Sequence, residues 1–183
     1  WDMPRKGNGP VGIWAWESSH VKISYCISYG NKTPRDAKDG GGFDLDGGVT
    51  DSEISYCISF NNHGAGYGLF QYPGASPWHG NTIRRCISIR DAVMTEGAGS
   101  IFVWNGSNDP EQMKDCRVKN NLIINSRKPL VSHEASSGHT DFFFSGNLFI
   151  GPERISGSDT GSFFVSNRWI GGKKKRKESS ITL

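Results

Sequence analysis

One short pattern recurs along the chain and restricts its fold more than any other feature. Val21-Lys-Ile-Ser-Tyr-Cys26-Ile-Ser-Tyr-Gly-Asn31 returns as Ser52-Glu-Ile-Ser-Tyr-Cys57-Ile-Ser-Phe-Asn-Asn62, as Asn81-Thr-Ile-Arg-Arg-Cys86-Ile-Ser-Ile-Arg90, and as Cys116-Arg-Val-Lys-Asn-Asn121-Leu-Ile-Ile-Asn125. Weaker copies surround Asn147 and Arg168. The aligned position falls at 26, 57, 86, 121, 147 and 168, in steps of 31, 29, 35, 26 and 21. Loosely constant periods of this size mark a solenoid, in which each repeat buries its apolar face only against its neighbours. Within a copy, apolar residues alternate, break at a polar pair and resume, the pattern of two short strands meeting at a bend. A further strand keeps the same period: 12–16, 42–46, 68–72, 100–104 and 129–133.

A coil of two or three short strands with no helical stretch, stacked on its neighbours, is a right-handed parallel β-helix. About six coils are expected, forming one domain over residues 1–172, with a basic tail at 173–183. Composition agrees. Glycine supplies 24 of 183 residues and apolar residues only 35%, which argues against a helical bundle, while 11% aromatic residues argue against disorder. The formal net charge of +3 belongs to the tail, because residues 1–172 hold sixteen Lys and Arg against seventeen Asp and Glu. No nucleic-acid-binding stripe is therefore expected through the body, and no apolar run is long enough for a membrane span. The chain opens at Trp1 without a methionine and without a capping helix, so the expectation is that the natural protein extends further towards its N-terminus.

In such a solenoid, aligned positions stack at the ~4.8 Å strand spacing. Cys26, Cys57, Cys86, Asn121 and Asn147 then form one inward ladder at a bend. Neighbouring cysteines there come within disulfide range, but a stack of small buried thiols is the reading adopted. Cys116 lies off this column.

The further strand carries the candidate site. With Ile13, Ala15, Phe43, Leu45, Leu69, Ile101, Val103 and Leu130 pointing inward, alternation sends two columns outward. One reads Trp14, Asp44, Phe70, Phe102, Val131, and the other Trp16, Asp46, Tyr72, Trp104, His133. Aromatic rings in register make a platform on which sugar rings stack, with hydroxyls seeking carboxylates and imidazoles, so the groove predicts a polysaccharide partner. Long connections such as 30–41 and 105–115 offer the alternative, a second core folded over the same rings. Asp44 and Asp46, two apart on one strand face, suit either a hard cation held through oxygens or a split pair of carboxyl pKa values.

The repeat grammar over residues 10–171 resembles the pectate-lyase-like superfamily of β-helix proteins, which includes polysaccharide lyases and glycoside hydrolases. That resemblance implies a secreted or cell-surface protein. In the superfamily's calcium-dependent lyases, strand carboxylates hold Ca²⁺ and a Lys or Arg removes the proton next to a uronate carboxylate. Gly42-Phe-Asp-Leu-Asp46 looks like the acidic strand of one such group, which implies calcium as a cofactor and assigns Asp44, with Asp46, a ligand role. The paired acids expected before the glycine are here Gly40 and Gly41, leaving Asp39. Lys38 and Arg35 overhang that strand as candidate bases, with Arg5, Lys6 and Lys128 further off. His133, and less so His63 and His79, are candidate proton-transfer groups. Glu17 and Glu134 come after their strands at matching offsets and could partner the Asp pair in a hydrolase. The motifs of polygalacturonase-type hydrolases do not occur. A non-catalytic adhesin or scaffold built on the same solenoid is the opposing expectation.

Overall fold

The computed structural model describes residues 10–33, 39–134, 138–158 and 160–172. These form three parallel six-stranded sheets wound as a solenoid of six coils. The first sheet contains Ile13–Ala15, Phe43–Leu45, Tyr67–Gln71, Ile101–Asn105, Val131–Glu134 and Ile155–Gly157. The second contains Lys22–Ser24, Glu53–Ser55, Trp78–Arg84, Met113–Lys119, Thr140–Ser145 and Ser162–Val165. The third contains Ile27–Tyr29, Ile58–Phe60, Ile87–Ile89, Leu122–Ile124, Leu148–Ile150 and Arg168–Ile170. Each strand pairs in parallel with its counterpart one coil away. Among the described residues, the one helical element is a 3₁₀ turn at Pro110–Gln112.

The bend between the second and third sheets explains the repeat. One residue per coil adopts a left-handed conformation: Tyr25, Tyr56, Arg85, Asn120, Gly146 and Ser166, with φ between 54° and 63°. This kink aims the next side chain inward, where it reaches the backbone of a neighbouring coil. Asn121 Oδ1 accepts the Cys86 N–H at 2.8 Å, Asn147 Oδ1 accepts the Asn121 N–H at 2.9 Å, and Asn167 Oδ1 accepts the Asn147 N–H at 2.9 Å. The last rung is thus Asn167, one residue before the expected Arg168, whose side chain faces out. In the earlier coils Cys26, Cys57 and Cys86 occupy these rungs as free thiols, each directed at the carbonyl two residues back at 3.3 Å.

A second ladder closes the far end of the third sheet. Asn62 Oδ1 accepts both the backbone and the side-chain N–H of Asn31, and Asp91 Oδ1 accepts the same pair from Asn62. Asn31 and Asn62 each also donate to a serine three residues back, Ser28 and Ser59. Asp91 keeps the position but changes the chemistry. Its Oδ2 accepts the Ser88 hydroxyl at 2.6 Å, and burial raises its pKa from 3.8 to about 6 despite these hydrogen bonds.

The core is filled as expected by Ala15, Phe43, Leu45, Leu69, Ile101, Val103 and Leu130, with Ile13 only partly buried. Phe43 and Tyr67 stack inside at 5.4 Å, and Tyr67 Oη donates towards the Cys57 and Ile87 carbonyls. Further down, Phe144 stacks on Phe164 and Phe149 on Trp169.

Substitutions in the two ladders should have opposite effects. Asn121→Ala leaves the buried Cys86 N–H without its acceptor, and urea denaturation should show a loss of about 2–3 kcal/mol. Asp91→Asn should stabilise, because an amide can make the ladder bonds without a buried charge. A carboxyl whose folded pKa is raised binds its proton more tightly when folded, so its penalty is full above about pH 6 and gone below the unfolded value. The variant should therefore exceed the parent by about 2–3 kcal/mol at pH 7.5, at 1.36 kcal/mol per pKa unit. By about pH 4 the two urea midpoints should coincide.

Candidate functional site

Register in the first sheet decides which side chains share a face. Ile13, Phe43, Tyr67, Ile101, Val131 and Ile155 align, and one residue on, Trp14, Asp44, Gly68, Phe102, Ser132 and Ser156 align. This corrects both expected columns. Phe70 belongs beside Trp104 and Glu134 in the second outward column, with Gly68 opposite Asp44 in the first, and Tyr72 lies beyond the strand end. Val131 and His133 point inward, paired with Ile101 and Val103, so His133 does not end an aromatic column. The third strand is displaced by two residues, pairing Tyr67 with Phe43, which keeps Phe70 outward but moves it to the second column, whereas the fifth is displaced by one, which exchanges its two faces and turns Val131 and His133 inward.

The expected platform divides into an open end and a covered end. Trp14 and Trp16 remain 51% and 53% exposed, their ring centroids 6.4 Å apart. Tyr72 joins them: its hydroxyl accepts the Trp16 indole N–H and donates to Glu17, while Glu17 also accepts the Ser76 N–H at 2.9 Å. These hydrogen bonds hold the Glu17 carboxyl below its ordinary pKa. At the covered end Phe102 is only 2% exposed, under a small second core of Ala65, Ala92 and Ala98 against which Phe70 and Trp104 pack. The outer face is thus open at one end and covered at the other.

Between the two ends lies the acidic group. Asp44 is 3% exposed, and its Oδ1 has no hydrogen-bond partner. Burial raises its pKa well above 3.8, and the charges of Asp46 and Asp39 raise it further. Asp39 is pushed up to about 6, by burial and then by Asp46. Asp46 is also raised by burial, with its Oδ1 accepting the Gly47 N–H at 2.7 Å. Asp39 and Asp44 line a cleft with Val11, Gly41, Phe43, Ala65, Gly68 and Phe70. Its free space, about 10 Å³, takes one water-sized group and no sugar ring. Gly68 preserves that space, since a Cβ there would lie 3.1 Å from Asp44 Oδ1 and 2.6 Å from the Phe70 ring.

The other candidates are spread out. His133 and His139 stack at 5.2 Å in the later coils, both within hydrogen-bond distance of Ser162 Oγ through Nε2, at 3.0 and 2.6 Å. His63 Nδ1 meets the Thr33 backbone, His79 lies in the second sheet, and Lys128 donates to the Thr95 carbonyl. Glu134 is exposed in the second outward column, in register with Trp104. Lys38, Arg35, Arg5, Lys6 and the basic tail lie outside the described residues. Among the described residues, no group of three or more His, Cys, Asp or Glu side chains is arranged to hold a metal ion, and no helix is long and apolar enough to cross a membrane. Sequence reasoning names Asp39 only as a leftover acid and misses Gly68. The signal for both is the glycine cluster around the acidic strand, which leaves room beside carboxylates.

Six coils, three parallel sheets and inward bend ladders define a right-handed parallel β-helix. The chain matches the family model for a right-handed beta helix region over residues 6–123, and it belongs to that family. No curated protein and no solved structure matches it.

The two ends of the aromatic face should respond differently to truncation. Trp104→Ala removes packing from the second core and should lower stability by about 2–3 kcal/mol, below the cost for a fully buried aromatic. Trp16→Ala should change it by less than about 1 kcal/mol, as read from urea midpoints of the two variants against the parent.

Proposed function

We propose that this β-helix domain binds a polysaccharide across the open end of the first sheet and transfers a proton to a glycosidic oxygen there, as a glycoside hydrolase. The observation that carries this reading is the placement of exposed Trp14 and Trp16 beside the buried Asp44 carboxyl and the half-buried carboxyls of Asp39 and Asp46. The indoles supply flat apolar surface for the C–H faces of sugar rings, and Tyr72 and Glu17 supply polar edges. Asp44, desolvated and flanked by two other acids, holds its proton more tightly than an ordinary carboxyl and is the group suited to donate it to the leaving oxygen. Asp46, more open and hydrogen-bonded by Gly47, is the carboxylate that takes a proton from the attacking water. The cleft holds one water and keeps the sugar above it, so the Asp44 proton reaches the leaving oxygen through that water. Polymeric glycans are met outside the cell or at its surface, which is where the domain would act.

Calcium-assisted elimination is the second reading, favoured by one observation: Asp44 Oδ1 is a buried oxygen without a donor, which a hard cation would satisfy. Asp44, Asp46 and Asp39 are the residues that would hold the ion, and it would stabilise negative charge developing on a uronate. They do not form a three-ligand cluster as placed, so water or the substrate would have to complete the shell.

Three substitutions separate these mechanisms. Trp14→Ala and Trp16→Ala should each weaken binding of the cognate glycan by about 1–2 kcal/mol, measured by calorimetry after a screen of neutral and uronate polymers. Asp44→Asn should abolish release of reducing ends while binding persists. Unsaturated product that requires added calcium, lost in the same variant, would select elimination. Binding without turnover of any glycan would leave an adhesin.

A further inference from the structure

The cysteines at the bend between the second and third sheets form a continuous column of thiols, fixed by register on both sides. Ser24 pairs with Ser55 and Ser55 with Arg84 before the bend, and Ile27 pairs with Ile58 and Ile58 with Ile87 after it. Cys26, Cys57 and Cys86 hold the same place between those pairs, and the Ile58 and Ile87 N–H groups bond to the Cys26 and Cys57 carbonyls at 2.9 Å. Adjacent cysteine Cα atoms therefore stand about 4.8 Å apart, the strand spacing, inside the ~4.4–6.8 Å that a disulfide spans. The sulfurs also lean along the column. Cys57 Sγ lies 3.7 Å from the Ile23 carbonyl oxygen and Cys86 Sγ 3.6 Å from that of Ile54, each in the coil before.

The surroundings of these thiols are graded. Cys26 is half-buried, whereas Cys57 and Cys86 are buried. Cys57 is pushed down to about 7, chiefly by the hydrogen bond that the Cys86 thiol gives it, and Cys86 is raised by that same hydrogen bond and by burial. A nucleophilic thiolate at Cys57 thus adjoins the column thiol most open to solvent. Cys116 stands apart in the second sheet, its thiol pushed up by burial.

We propose that Cys26 and Cys57 are a modification site for hydroperoxides, converted on oxidation to a disulfide that staples the first coil to the second. The Cys26 thiolate attacks hydrogen peroxide: the O–O bond breaks, an S–O bond forms and hydroxide leaves, giving a sulfenic acid. The Cys57 thiolate then attacks the Cys26 sulfur, the S–S bond forms, the S–O bond breaks and a second hydroxide leaves. With the two thiol protons the products are two waters, so two thiols are oxidised by two electrons and one peroxide is reduced. Cys86 supports the Cys57 thiolate and stays reduced. The bridge ties the coil that carries Trp14 and Trp16 to the one that carries Asp44 and Asp46, and it removes freedom from the unfolded chain.

Peroxide treatment followed by intact-mass measurement and peptide mapping tests the proposal. The parent should become about 2 Da lighter, and alkylation in denaturant should find two free thiols in a chain with four cysteines. The linked peptides should be those of Cys26 and Cys57, with Cys86 and Cys116 alkylated. Dithiothreitol should restore the mass, and the oxidised protein should have a higher urea midpoint than the reduced one. Cys57→Ser should halt the reaction at a sulfenic acid, trapped on Cys26 by dimedone, and Cys26→Ser should keep all its thiols through the same exposure. Mapping on the parent carries the test if either variant fails to fold. A parent that keeps four free thiols overturns the proposal, as does a bridge to any other cysteine or oxygen addition without a bridge. An unchanged urea midpoint overturns the staple.

Discussion

Every coil of this solenoid is held to the next by side chains that bond across to a neighbouring backbone at the bends. Strand pairing alone leaves parallel neighbours free to slip, because each ladder hydrogen bond looks like the next. The bend side chains remove that freedom. Asn121, Asn147 and Asn167 each satisfy one particular backbone N–H, and Asn62 and Asp91 do so at the other end of the third sheet. A left-handed conformation is costly for a side chain such as Tyr56 or Arg85, so that position is held in place by the inward rung next to it in the chain. The same fixed register sets the cysteine column and the stacked inner rings.

The candidate site depends on that register. Asp44 and Asp46 share a face because they stand two apart on one strand, the register sets Asp44 between Trp14 and Gly68, and Asp39 comes close because the chain re-enters the sheet at Gly40 and Gly41. Bringing three acids together under an apolar rim costs folding energy, since each is less readily ionised than in water. The solenoid tolerates this because its cohesion is spread over six coils, with the cost confined to the second and third. Aromatic residues are divided by the same logic: Trp14 and Trp16 have no loop over them among the described residues, whereas the connection through Ala92 and Ala98 folds onto Phe102 and Phe70.

The third sheet adds a second outward surface of different character. Polar serines fill the inside where Asn31, Asn62 and Asp91 need hydroxyl partners, and the apolar residues of the same strands are therefore turned out.

Much is legible from the repeat itself. The spacing of Cys26, Cys57, Cys86, Asn121 and Asn147 is enough to establish a solenoid, the short strands, the inward bend column and most of the core, because stacked coils demand the same residue type at the same place. The final rung falls at Asn167 and not at Arg168, a difference of one residue that arises because the last copy retains little of the pattern. Alternation identifies an aromatic and acidic face on the first sheet, but not its register: the places of His133 and Phe70 depend on strand starts that a residue or two of connection can shift. Which aromatic rings stay open, that Asp44 is buried rather than solvated, and that the third sheet turns its isoleucines outward are settled only by tertiary structure. The physical reason is that sequence period reports what repeats along the chain, whereas exposure and pKa depend on which connection folds over which strand, and that is decided across coils.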